Sequence, residues 1–116
     1  MTRAKVAGFV KKPPKHVKND EGKPRFTLVP PRALLAVAEC FTYGAEKYPG
    51  NDFRQVENAY QRYDDAARRH MNAADQGEII DPESGLPHLA HAASNLLMQL
   101  EVLILAMDQR GDEEDE

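Results

Sequence analysis

LPHLAHAASNLLMQLEVLILA, residues 86–106, is the stretch that decides the fold. It predicts a helix in which Leu96, Leu97, Leu100, Val102, Leu103, Ile104 and Leu105 point around most of the circumference. A helix that is apolar all round must be covered on more than one side. Asp81 or Ser84 is placed to cap its start, and Pro87 is tolerated in the first turn. Upstream, a second helix fits from about Phe53 to Ala74, with Val56, Ala59, Tyr60, Tyr63, Ala66, Ala67, His70, Ala73 and Ala74 on one face. Asp64/Arg68 and Asp65/Arg69 stand four apart in the acid-first order on its wetter side, and Gly77 supplies the stop. A first helix starts at Pro31 and ends between Tyr43 and Lys47, with Leu34, Val37, Ala38, Phe41 and Ala45 as its buried face. The expectation is an all-α domain, a small bundle of about three main helices behind an extended basic N-terminal arm. Two partner helices hardly cover the third, so the chain is expected to be oligomeric through it.

Composition narrows the function classes. With 116 residues and 13.0 kDa the chain suffices for one domain. Its parts are expected as a flexible basic arm over 1–21, the helical domain over 22–110 and an acidic tail over 111–116. No charge-free run reaches the ~20 apolar residues of a membrane span, and no apolar segment follows the basic N-terminus as in a secretory signal. One cysteine, Cys40, makes no internal disulfide, which suits a reducing cytoplasm. Residues 1–32 hold nine Lys/Arg against two Asp/Glu, and residues 33–116 hold six against seventeen. The basic arm suits phosphates, while the acidic body argues against a duplex-binding face. Neither a nucleic-acid nor a membrane partner is expected. Phosphate-binding GxxxxGK[S/T], dinucleotide GxGxxG, nucleophile-elbow GxSxG and a His-Asp dipeptide are all absent from the sequence.

His88 and His91 face the same way on the third helix, and Asn95 lies seven beyond His88. His70 sits in the buried register of the second helix, and Glu78 and Asp81 lie in the loop between the two. Three imidazoles, two carboxylates and an amide therefore meet at one end of the bundle. Buried groups of this kind need partners, at about 1–3 kcal/mol for each left unsatisfied. Either they bond one another inside a core, or a divalent metal satisfies several at once. Glu39 and Glu46, two turns apart, are either solvated acids or oxygen ligands of the sort that suit Mg²⁺ or Mn²⁺. Lys23, Arg25, Lys47, Arg62 and Arg69 are the cations free to meet phosphate, Arg68 being better read as the partner of Asp64. Tyr43 and Tyr48 either pack or stack on a base.

Gly22-Lys23-Pro24-Arg25, Leu28-Val29-Pro30-Pro31, Tyr43-Gly44-Ala45-Glu46-Lys47-Tyr48, Arg69-His70, Gly77-Glu78 and the run from Asp81 to His91 resemble the phage-associated dATP/dGTP diphosphohydrolase N-terminal domain family. That family is similar to the MazG-like, all-α nucleoside triphosphate pyrophosphohydrolases. The resemblance spans about Lys18 to Leu100. It implies a small oligomeric helical enzyme that cleaves a purine deoxynucleoside triphosphate to monophosphate and pyrophosphate with Mg²⁺ or Mn²⁺ rather than zinc. If phage-encoded, it would act in the host cytoplasm. MazG-like enzymes usually hold metal with ExxE and ExxD pairs. Here Glu39 is followed by Thr42, and the third helix offers His88 and His91.

The residues and the resemblance together give one expected assignment. Glu46, Glu78, Asp81, His88 and His91 hold metal, and His70, Glu78 and Asp81 serve catalysis. Lys23, Arg25, Lys47, Arg69, Tyr43, Tyr48 and Asn95 bind the substrate. The alternative is a helical module that binds a nucleotide or a protein partner without chemistry.

Overall fold

The computed structural model describes residues 19–115, with side chains as far as Gly111. The flexible arm expected over 1–21 lies outside the described residues up to residue 18. Three α-helices form the domain: α1, Pro31–Lys47; α2, Ala59–Asp75; and α3, His88–Asp115. Among the described residues there is no strand, only an isolated antiparallel bridge between Ile80 and Pro87. α3 is the shared spine, since it packs against both α1 and α2, which do not pack on each other.

The helix ends follow local chemistry. Pro31 occupies the first turn of α1, where its missing N–H is no loss. Gly44 does not end that helix, which runs on to Lys47. At the end of α2, Gly77 N–H bonds the Ala74 carbonyl at 2.9 Å and Glu78 N–H bonds that of Ala73 at 3.0 Å. This pairing requires a left-handed residue at the turn, and Gly77 supplies it with φ +98°. The stop anticipated at Gly77 therefore has a defined mechanism.

Two expectations need correction. The second helix does not begin at Phe53: residues Phe53–Gln55 form a 3₁₀ turn capped by the Asp52 side chain, and α2 starts only at Ala59. Val56 is extended and Asn58 is left-handed at φ +55°, so the helical path breaks between them. Asn tolerates that conformation better than most residues. The inner face of α1 is also rotated. Val37 and Cys40 are buried and Phe41 and Gly44 half-buried, whereas Leu34, Ala38 and Ala45 are exposed. On α2 the expected face holds except for Tyr60, which is exposed.

Small residues fill buried positions on both α2 and α3. Ala59 and Ala67 of α2 and Ala90 and Ala92 of α3 are buried, Ala67 completely. Small side chains let two helix backbones approach closely, which brings polar residues one turn further along into contact. Tyr63 adds a hydrogen bond from its hydroxyl to the Phe53 carbonyl at 2.8 Å, tying the 3₁₀ turn to α2.

From the absence of a long uncharged run, no membrane span is expected. By length and composition, however, His88–Gly111 qualifies, with mean hydropathy 1.4 over an 18-residue window of which 28% is buried. Leu103, Ile104 and Met107 in its second half are exposed.

Candidate functional site

The loop between α2 and α3 is a tight hairpin that presents side chains to the start of α3. Asp81 N–H bonds the Leu86 carbonyl at 2.9 Å, Gly85 N–H bonds the Asp81 carbonyl at 2.8 Å, and His88 N–H bonds that of Ile79 at 2.9 Å. Asp81 Oδ1 accepts from the Glu83 N–H at 3.0 Å, an Asx turn that fixes the carboxylate. The other oxygen, Oδ2, accepts from the Ser84 hydroxyl at 3.4 Å and lies 3.6 Å from His91 Nε2. Ser84 Oγ in turn accepts from Leu86 N–H and sits 2.6 Å from His91 Nε2. The loop is thus a rigid bracket for one carboxylate and one hydroxyl.

The three anticipated histidines converge on that bracket. His70 Nδ1 and His88 Nδ1 are 2.9 Å apart, and His88 Nε2 is 2.6 Å from Glu78 Oε1. A carboxylate accepts hydrogen bonds, so His88 carries its proton on Nε2. Its Nδ1 then has a lone pair, which accepts from His70 Nδ1–H in the metal-free protein. His70 stacks on His91 with ring centroids 4.7 Å apart and planes 16° apart, and Tyr43 meets His91 edge-on at 6.0 Å. Donor atoms of His70, Asp81 and His88 lie within 4.8 Å of one another. The Asp81 side chain is 13% exposed and that of His88 is 7%, so the cluster is largely shielded from water.

Burial dominates the electrostatics of the cluster. It pushes His70 below the ordinary imidazole range, with His91 and His88 adding to the shift. His91 is lowered by burial too, against an opposing pull from Asp81. An unfolded histidine takes its proton near pH 6.5. Over the interval below that value the unfolded chain binds more protons than the folded one, so stability rises with pH. The metal-free protein should therefore hold full stability above about pH 6.5 and lose it as pH falls through the depressed folded values. Thermal melts in chelator from pH 7.5 to 5 check this. A flat profile would rule out neutral buried imidazoles.

Other expected residues line the approach. An open groove of about 280 Å³ runs beside Ser84, walled by Glu39, Thr42, Tyr43 and Glu46 of α1. Glu46 thus neighbours the cluster without joining its ring of donors. Lys47 bonds Glu83 at 2.5 Å and rests 5.9 Å from the Tyr43 ring and 5.3 Å from that of Tyr48. The Glu83 carboxyl is held below its usual range, chiefly by the Lys47 hydrogen bond. Asn95 donates its amide N–H to the His91 carbonyl at 2.8 Å within α3. Arg68 pairs with Asp64 at 3.0 Å, and Asp65 takes the Gln61 amide instead of Arg69. Among the described residues Arg69 has no ion-pair partner.

Lys23 and Arg25 are not brought to the cluster. They precede α1, whereas Tyr43, Glu46 and Lys47 close it, and 17 residues of helix separate the two ends by about 25 Å. Sequence reasoning missed Ser84 as a partner of His91 and Glu83 as a partner of Lys47. Only the hairpin's path shows that residue 84 returns to residue 91.

The family model described as "dATP/dGTP diphosphohydrolase, N-terminal" matches residues 13–113. A protein named dATP/dGTP diphosphohydrolase from Salmonella phage PMBT28 is 35% identical over 81 residues, covering 70% of this chain and 27% of its own length. The chain thus spans about a quarter of that relative. No solved structure matches it.

Proposed function

We propose, from the premise that the chain belongs to the dATP/dGTP diphosphohydrolase N-terminal family, that it hydrolyses a purine deoxynucleoside triphosphate to the monophosphate and pyrophosphate with a divalent metal. The observation that carries this reading is the convergence of His70, His88 and Asp81 donor atoms beside a groove bearing two further carboxylates. Two imidazoles and a carboxylate form a mixed nitrogen and oxygen set that fits Mn²⁺ and its neighbours. Mg²⁺ prefers oxygen alone and is better suited to Glu39 and Glu46. When bound, the ion supplies Lewis acidity toward phosphate oxygens and lowers the pKa of coordinated water.

The chain's own residues divide the remaining work. Glu78 orients His88 by accepting its Nε2 proton, the usual outer-shell partner of a ligating histidine. Glu78 then acts through His88 and is not itself a ligand. A ligating imidazole keeps its proton on the other nitrogen, so His70 cannot serve as ligand and base together. The proton of the attacking water goes instead to a groove carboxylate, Glu46 or Glu39. Tyr43 and Tyr48 offer faces to the base, Arg69 offers charge to the phosphates, and Lys47 does so only on leaving Glu83.

The test is pyrophosphate release from a panel of deoxy- and ribonucleoside triphosphates with Mn²⁺, Mg²⁺ and Zn²⁺. Turnover of dATP or dGTP is expected, faster with Mn²⁺ than with Mg²⁺. A second reading, nucleotide binding without chemistry, is favoured by one observation: Lys47 is already paired with Glu83 and is not free to meet phosphate. Calorimetry showing tight binding, with no product formed under any metal, would establish that reading and sink the first.

A further inference from the structure

We infer that Glu83 reads the base of the nucleotide and selects guanine over adenine, an inference that rests on the nucleotide-hydrolysing reading above. Glu83 stands on the hairpin next to Ser84, which lines the open groove together with Tyr43 and Glu46. Its Oε1 accepts from Lys47 Nζ at 2.5 Å. That ammonium rests 5.9 Å from the centre of the Tyr43 ring and 5.3 Å from that of Tyr48. One carboxylate is thus pinned by a cation beside two aromatic rings. Surface ion pairs contribute little to stability, so holding the fold is a weak reason for this one. Tyr48 is 54% exposed and so open to a stacking partner. Stacked aromatic rings lie with their centres about 4.5–7 Å apart, so a purine on either tyrosine brings its edge to the carboxylate.

The chemistry of that edge decides which purine fits. Paired with Lys47, Glu83 is ionised and only accepts hydrogen bonds. Its side chain is 61% exposed, which leaves acceptor sites beyond the one that Lys47 uses. Guanine presents two adjacent donors on its Watson–Crick edge, N1–H and the 2-amino group, a fork that matches the two carboxylate oxygens. Adenine presents its 6-amino donor beside the N1 lone pair, which a carboxylate repels. Hypoxanthine keeps N1–H and lacks the 2-amino group. A base held between stacking side chains and read on this edge is a general mode of recognition. Lys47 then has a different task from meeting phosphate: it is a positioning residue that aims the Glu83 carboxylate.

The test is calorimetry on the full chain with Mn²⁺ and the α,β-imido analogues of dGTP, dITP and dATP, which resist cleavage at that bond. The dGTP analogue should bind about tenfold or more tightly than the dATP analogue, with the dITP analogue between them. Glu83→Gln exchanges one acceptor for an amide donor, which suits the donor and acceptor of adenine, so the preference should turn toward dATP. Lys47→Met should flatten the preference without reversing it. A pair serving only the fold would lower the melting temperature of these variants and leave the ratio of the two affinities unmoved. That result overturns the inference, as does a wild-type chain that binds both analogues equally. Pyrophosphate release from dGTP and dATP without preference would sink the base assignment and leave the hydrolase reading standing. Selective binding with no release from the true triphosphates would do the reverse, and binding of neither analogue sinks both.

Discussion

Asp81→Asn is expected to leave the fold intact while reducing Mn²⁺ affinity and pyrophosphate release by about 100-fold or more. The substitution separates two jobs of one side chain. Oδ1 accepts the Glu83 N–H that closes the hairpin, and the carbonyl oxygen of Asn can accept it as well. Oδ2 faces the cluster, near Ser84 and His91, and there an amide replaces a negatively charged donor. Thermal stability of the metal-free variant should change little, while metal binding followed by calorimetry should collapse. Asp81→Ala loses the turn too, and should add about 1 kcal/mol of destabilisation. Glu78→Gln gives the contrast. Gln can still accept from His88 Nε2–H, so an orienting role predicts a loss nearer 10-fold. If Asp81→Asn binds Mn²⁺ and turns over like the parent, the metal belongs in the α1 groove with Glu39 and Glu46, and the His/Asp assignment is wrong.

What the sequence made legible follows from locality. His88 and His91 are three apart on a strongly patterned helix, His70 lies in the buried register of its neighbour, and only a short loop joins them. Glu78 and Asp81 ride on that loop. Their meeting needed no knowledge of distant chain paths. The inner face of α1 was less determined, because Leu34, Leu35, Val37, Ala38, Cys40 and Phe41 are apolar on more than one side. Periodicity alone cannot choose among such faces, and contact with α3 selects Val37, Cys40 and Phe41. The break before α2 escaped because Asp52 capping Arg54 and a left-handed Asn58 are local events within a helix-compatible composition. Lys23 and Arg25 look favourable by charge, yet only the tertiary path reveals that they enter at the far end of α1.

Ala67→Leu is expected to be the most damaging substitution outside the cluster. Ala67 is completely buried on α2, which packs along α3. A Leu side chain there has no space unless the two helices separate, and overpacking of this kind costs about 1–3 kcal/mol. For a domain of this size each kcal/mol lowers the melting temperature by roughly 4–8 °C. The functional consequence follows from geometry. His70 lies three residues beyond Ala67 on the same face of α2, and its Nδ1 reaches His88 across this interface at 2.9 Å. Moving α2 outward carries His70 away from His88 and Asp81, so Mn²⁺ affinity should fall together with stability although no donor has been altered. Ala45→Leu, on the exposed side of α1, serves as the control and should move neither quantity. Should Ala67→Leu melt lower yet bind Mn²⁺ undiminished, His70 is not a ligand, and the ion is held by the hairpin and α3 alone.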